Sequence, residues 1–208
     1  MTVDEIVRRV RARSDRLASG LPVGQLPVDS DFSLNGVEPR PTVFKPAAVL
    51  VPLVTRDSGV TVLLTQRTED MPSHAGQVAF PGGRSQPEDA DAAATALRET
   101  YEEIGLERRF VEIIGAVDHY VTGTAFEITP VVGLVTPGFT TRADPREVAD
   151  IFEVPLDYFL DEKNHQVDSR TTPLGTNRRY YAMPYGKRYI WGATAGMLKN
   201  LQYILTAG

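Results

Sequence analysis

The residues best suited to chemistry lie in Leu97-Arg98-Glu99-Thr100-Tyr101-Glu102-Glu103-Ile104-Gly105-Leu106. On a helix each residue turns by about 100°, so Glu99, Glu102 and Glu103 fall within a sector of roughly 100°. Like charges at i, i+3 and i+4 repel one another by a few tenths of a kcal/mol per pair. Arg98 reaches Glu102 at i+4, yet one guanidinium cannot neutralise three carboxylates. A divalent cation can, and an all-oxygen donor set favours Mg2+ or Mn2+ over zinc. An isolated Glu-x-x-Glu-Glu is more often a solvated acidic face. Here Phe80-Pro81-Gly82-Gly83 stands just upstream, a turn whose glycines let backbone N–H groups approach an anion closely. A glycine turn joined through an acidic loop to a carboxylate-bearing helix points to metal-assisted handling of an anion.

Several elements must position this segment. Asp89 to Ile104 reads as the strongest helix: alanine-rich, with aspartates at its start and Gly105 where a left-handed cap belongs. Its Ala93, Leu97 and Ile104 form an apolar sector roughly 140–150° from the carboxylates, so one face should be buried and the three glutamates project from the other. Upstream, Ala47–Val54 and Val60–Leu64 read as strands joined by a turn at Thr55–Gly59, and His74–Phe80 as a third strand stopped by Pro81-Gly82-Gly83. Downstream, Val111–Tyr120 and Phe126–Val135 read as strands, and a short acidic helix near Pro145–Asp150 leads into Phe152–Leu160. Arg179–Met183 and Arg188–Trp191 read as a hairpin about Pro184-Tyr185-Gly186, and Ala193–Leu205 as a closing helix. At the other end, Val3, Ile6, Val7, Val10 and Leu17 give residues 3–18 an amphipathic helical pattern. Residues 19–45 read as a connector rich in glycine and proline. Strands interleaved with helices indicate an α/β or α+β domain. A change in composition near Phe44 divides the chain into an N-terminal extension, 1–44, and a catalytic domain, 45–208.

Composition narrows the classes. The 208 residues contain no cysteine, which removes disulfide scaffolds, thiolate metal sites and cysteine nucleophiles, and fits a cytoplasmic location. No apolar run approaches the roughly 20 residues that span a bilayer, and the charged N-terminus lacks a signal-peptide core. A net charge of −5 argues against a nucleic-acid surface. An anionic substrate would then need a metal ion or a local basic patch.

Gly83 through Leu106 resembles the Nudix box, G-x5-E-x7-R-E-U-x-E-E-x-G-U with U a bulky aliphatic residue. Arg98, Glu99, Glu102, Glu103, Gly105 and Leu106 match. Asp89 stands where the first glutamate is expected, the stretch before Arg98 is one residue longer, and Thr100 replaces the aliphatic residue. Asp89 is expected to cap the helix in preference to touching a metal. Leu63-Leu64-Thr65-Gln66-Arg67, Gly76 and Phe80-Pro81-Gly82-Gly83 resemble the signature that precedes the box in the coenzyme A pyrophosphatases of this superfamily. That subgroup also carries the longer, aspartate-containing box with Thr95-Ala96-Leu97-Arg98-Glu99, and Tyr189–Ala195 resembles its closing segment. Thr68 and Pro72 depart from its pattern.

The resemblance implies a Nudix-type α/β/α sandwich with a mixed central sheet and a catalytic strand–loop–helix at 76–106. It implies hydrolysis of the pyrophosphate of coenzyme A or its thioesters, giving 3′,5′-ADP and 4′-phosphopantetheine or its acyl form. Glu99, Glu102 and Glu103 would hold Mg2+ or Mn2+, with Glu102 also acting in catalysis and Arg98 orienting the glutamates. Glu147 is the candidate general base from outside the helix, with Glu127 its competitor. Arg67, His74, Gly82 and Gly83 are the substrate-binding candidates; Tyr180, Tyr181 and Tyr185 are either base-stacking or packing residues. His119 and His165 receive no role. The alternatives are another nucleoside diphosphate derivative such as ADP-ribose or NADH, a nucleoside triphosphate, and, in a different class, a non-catalytic ligand sensor. The expected partner is a small-molecule nucleotide, not nucleic acid or a membrane. Residues 1–44 are open to three roles: pairing two subunits as a homodimer, covering a sheet edge, or forming a wall of the pocket.

Overall fold

A computed structural model of the chain describes all residues except 22–28, 37–42, 172–174, 176 and 208. Its elements in order are α1 (Val3–Ala18), β1 (Lys45–Arg56), β2 (Gly59–Arg67), β3 (Val78–Ala79), β4 (Gly82–Arg84) and α2 (Ala92–Ile104). There follow β5 (Val111–Ala116), β6 (Tyr120–Val121), β7 (Phe126–Val135), β8 (Val148–Pro155), α3 (Leu156–Leu160), β9 (Gln166–Thr171), β10 (Asn177–Tyr185), β11 (Arg188–Trp191) and α4 (Ala193–Thr206).

The apolar run of β1 explains the architecture. Eight consecutive positions are buried, the signature of a strand covered on both faces. Side chains alternate: Val49, Val51 and Leu53 enter one apolar cluster, while Ala48, Leu50 and Val54 enter another. β2 turns back antiparallel and divides in the same way, Val62 and Leu64 against Leu63. β7 lies parallel to β1 from Lys45↔Phe126 to Val54↔Val135, which makes the sheet mixed. The main path runs β3-β2-β1-β7-β5, with β4 on β1, β6 on β7 and β8 on β2. Ala96 and Ile104 of α2 close one face; Ile6 and Val10 of α1, Phe159 of α3 and Leu198 of α4 close the other. The result is a three-layer α/β/α sandwich. A separate antiparallel sheet, β11-β10-β9, is fastened to it by Arg188, which donates to Gln66 and Asp150 and lies 4.5 Å over the Phe152 ring.

Four expectations need correction. The strand read over His74–Phe80 is confined to β3: His74 takes φ 57° in a loop, a left-handed conformation that ends any ladder. Val111–Tyr120 is two strands, with β5 slipping register between Ile113 and Gly115. No helix forms near Pro145–Asp150. There the backbone N–H groups of Glu147 and Val148 both bond to the Asp144 carbonyl, and the chain then joins β2 as β8. Phe152–Leu160 breaks at Pro155 into the end of β8 and α3.

Of the connector expected over 19–45, residues 22–28 and 37–42 lie outside the described residues. The described N-terminal residues do two things. α1 packs on β5, where Ser14 Oγ accepts from the Ala116 N–H at 3.2 Å. Residues 29–31 run beside Val121, exchanging backbone hydrogen bonds at 2.9 and 3.0 Å. Among the described residues no helix is long and apolar enough to cross a membrane.

Candidate active site

The helix α2 begins later than its sequence suggests. Asp91, not Asp89, is the N-cap, accepting from the Ala94 N–H at 2.7 Å; Gly105 caps the other end at φ 68°. Asp89 therefore lies before the helix and does something else. Its two carboxylate oxygens accept from Arg98 Nε and Nη2 at 2.9 and 2.8 Å, and one also accepts from Thr95 Oγ1 at 2.9 Å. The paired guanidinium holds Asp89 well below the usual carboxylate range and raises Arg98 in turn. Arg98 uses its remaining donors on Glu99 at 2.8 Å, Glu102 at 3.1 Å and the Arg84 carbonyl at 3.2 Å. It is thus the hub of the carboxylate face, tethered from outside the helix by an aspartate.

The three glutamates do not share one environment. Glu103 is only 6% exposed, which corrects the expectation of three projecting carboxylates, because the β4 turn lies over it. One of its oxygens accepts from the Gly82 N–H at 3.2 Å. Burial pushes its carboxyl up to about 8; the Gly82 hydrogen bond and the Arg67 charge oppose this, and the charges of Glu147 and Glu99 reinforce it. Burial also raises Glu99, against the pull of Arg98. Glu102 is the exposed member, its carboxylate drawn toward Arg98. As the side chains stand, no three acidic or histidine groups among the described residues converge closely enough to hold an ion.

The turn at Gly82-Gly83 fits this crowding. A Cβ at Gly83 would sit 2.5 Å from a Glu99 oxygen, and one at Gly82 would sit 2.4 Å from the Ala48 carbonyl. Gly82 also takes φ +152°, a conformation that L side chains rarely adopt. Bare backbone at both positions lets β4 pair with β1 while the carboxylates press against it.

The same turn forms part of a cleft of about 470 Å³. Arg67, His74, Gly82 and Gly83, the four substrate-binding candidates, all line it. The α2 glutamates are outside its lining and meet it through the shared turn. Arg67 Nε is buried with no hydrogen-bond partner among the described residues. His74 is exposed, with Nδ1 2.9 Å from Gln77 Oε1, so it stabilises its own loop at the cleft margin. Glu147 lies at the end of β2, its carbonyl accepting from the Thr68 N–H at 2.9 Å, and repulsion from its charge adds to the upward shifts of Glu99 and Glu103. Glu127 instead lies in β7, opposite Val121. Tyr180 and Tyr181 line the cleft, whereas Tyr185 packs edge-on against Tyr158. His119 bonds to Thr129 and His165 to the Phe159 carbonyl.

Two parts of the site escape sequence reasoning. The Asp89–Arg98 tether spans a loop, and its only sequence signal is the acid at the place of the expected glutamate. The second cleft wall carries Arg170, Arg178 and Arg179 from β9 and β10. Its signal is an arginine-rich hairpin whose strands hold a single acid, Asp168.

This architecture and this helix are those of a known class. The NUDIX domain model matches residues 44–174. The uncharacterized Nudix hydrolase NudL of Yersinia enterocolitica is 38% identical over 177 residues, covering 83% of this chain and 88% of that one. NudL of Photorhabdus laumondii is 40% identical over 156 residues, covering 74% and 82%. Among solved structures, the MutT protein of Methanosarcina mazei shares 21% identity over 60% of this chain and 84% of its own, at a TM-score of 0.45. An Ap4A hydrolase of C. elegans shares 19% over 54% and 81%, also at 0.45. The chain belongs to the Nudix family and is a Nudix pyrophosphohydrolase.

Proposed function

We propose that this hydrolase cleaves the pyrophosphate of coenzyme A or its thioesters, releasing 3′,5′-ADP and 4′-phosphopantetheine or its acyl form. The observation that carries the reading is Arg67. It belongs to the Leu63–Arg67 run that resembles the coenzyme A pyrophosphatases, and it lines the cleft with a buried, unpartnered Nε. A buried donor without a partner costs about 1–3 kcal/mol, which a substrate phosphate oxygen would recover.

Glu99, Glu102 and Glu103 are the residues we assign to a divalent ion, Mg2+ or Mn2+. The fit is chemical: an all-oxygen set, with a buried carboxylate whose neighbours Glu99 and Glu147 are also acidic. The ion, when bound, neutralises pyrophosphate charge and lowers the pKa of attacking water. The chain does the rest. Arg98, held by Asp89, positions Glu99 and Glu102. Arg67 holds the phosphates, the Gly82-Gly83 turn lets them approach closely while its Gly82 N–H stays with Glu103, His74 flanks them, and Glu147 accepts the proton of the attacking water. The reading places this chemistry in a domain from residue 45, with residues 1–44 as an extension, in the cytoplasm; a homodimer through that extension is compatible with it. A ligand sensor would have no use for the complete Arg98-Glu99…Glu102-Glu103 set.

Incubation with Mg2+ or Mn2+ and a panel of coenzyme A, acetyl-coenzyme A, ADP-ribose, NADH and nucleoside triphosphates separates the substrates. Coenzyme A and its thioester should be consumed fastest. Coenzyme A left intact while ADP-ribose or NADH is cut overturns the assignment.

A further inference from the structure

The cleft lining contains five arginines and a single acid, in a chain whose net charge is −5. That acid, Asp31, is already engaged, accepting from Tyr120 OH at 3.0 Å and the Gly123 N–H at 2.8 Å. Arg67 and the glycine turn belong to the pyrophosphate end. The wall contributed by β9–β11 has no assigned purpose.

Its geometry is specific. Arg170 and Arg178 stand directly opposite one another in the antiparallel ladder. Like charges in that relation destabilise a sheet. Two residues along β10 on the same face is Tyr180, whose ring centroid lies 4.9 Å from that of Trp191. Arg170 lies 4.8 Å over the same indole. Asp168, the one acid of the three strands, is taken by Tyr189 OH at 2.7 Å. Arg170 makes no ion pair among the described residues, and both Arg170 and Trp191 line the cleft. A pair of cations beside an aromatic platform is the chemistry that receives a nucleobase and a nearby phosphate.

We propose that Arg170 and Arg178, with the Tyr180–Trp191 pair, form a second anion site that takes a phosphate monoester on the ribose of a nucleotide whose base stacks on the aromatic pair. The inference rests on the coenzyme A reading, which supplies a substrate with such a monoester in addition to its pyrophosphate. It names the feature by which the enzyme would distinguish coenzyme A from nucleoside diphosphate derivatives that lack it.

Trp191 is the single tryptophan of the chain, so its fluorescence reports on this wall alone. Titration of the whole protein with 3′,5′-ADP and with 5′-ADP, without metal, should show the bisphosphate binding about tenfold more tightly, as one added charge-assisted contact allows. Arg170→Gln should reduce that ratio to below about threefold, and Arg170→Lys should retain more of it. Equal affinities in the wild type, or a ratio unchanged by Arg170→Gln, overturn the second site. Thermal melting of each variant separates misfolding from lost recognition. The outcomes also separate the two proposals. Coenzyme A cleaved with no preference for 3′,5′-ADP removes this site and leaves the function, whereas a preference that Arg170→Gln removes, with coenzyme A left intact, keeps the site and removes the function.

Discussion

Substituting Gly83 by alanine isolates the position of one carboxylate from the stability of the fold. The three atoms nearest an added Cβ all belong to Glu99: one oxygen at 2.5 Å, the carboxyl carbon at 2.6 Å and the second oxygen at 2.9 Å. Ordinary contact begins at 3.4 Å, so the carboxylate must retreat by the difference, 3.4 − 2.5 = 0.9 Å. A displacement of about 1 Å in a reacting constellation costs on the order of 100-fold, or about 2.7 kcal/mol of barrier. The backbone of Gly83 is outside the left-handed region, so alanine brings no strain there. Restricting the unfolded chain even returns about 0.4–1 kcal/mol. Turnover of a pyrophosphate substrate at saturating Mg2+, measured beside the melting temperature, should therefore show kcat reduced about 100-fold with the melting point held within roughly 4 °C. Gly82→Ala is the control. There the added atom meets the Ala48 carbonyl at 2.4 Å and the Val49 Cα at 2.5 Å, neither able to swing aside, and the fold itself should be lost or badly weakened. Full activity in Gly83→Ala would show that the Glu99 carboxylate need not stand where the glycine admits it, and the assigned metal site would fall with it.

Glu103 predicts an inverted pH profile. Its folded value of about 8 exceeds the ordinary 4.5, so between those pH values the native state keeps a proton that the unfolded chain releases. In EDTA, stability should fall with rising pH across that window, by up to about 1.4 kcal/mol per unit, and Glu103→Gln should flatten the slope. Denaturant melts at pH 5, 6.5 and 8 measure this; a flat or rising wild-type curve contradicts the buried acid. The same variant should lose roughly 10²–10⁴-fold in turnover, since a ligand worth several kcal/mol is removed. Asp89→Asn frees Arg98 from its tether without touching the glutamates, and kcat should drop about 10–100-fold as for other outer-shell partners. Wild-type kcat in that variant would mean that Arg98 is positioned by the helix alone.

The layers were legible where the sequence states its own burial. β1 is legible as a strand because its short apolar run ends at a turn, while the two clusters that cover its faces are seen only in the packing. α2 is marked by its alanines and by Gly105. What could not be read depends on contacts between distant segments. Glu147, just before β8, and Asp150 within it make this segment look like an acidic helix start, yet the edge of β2 pairs with the strand. The helical wheel placed Glu103 beside its fellow glutamates correctly in angle. It could not show that the β4 turn covers that residue and not Glu102, and burial is what sets them chemically apart. Asp89 was sought as a cap because aspartate often is one. The residue two positions later took that place, leaving Asp89 to hold Arg98.

The most direct test of the central claim is the identity of the products formed from coenzyme A in ¹⁸O-labelled water with Mg2+, read by mass spectrometry. Hydrolysis at the pyrophosphate predicts 3′,5′-ADP and 4′-phosphopantetheine in equal amounts, with one labelled oxygen on a newly formed phosphate and product formation at least about 100-fold slower in Glu103→Gln. Intact coenzyme A, or label released as inorganic phosphate from the ribose monoester, would contradict it.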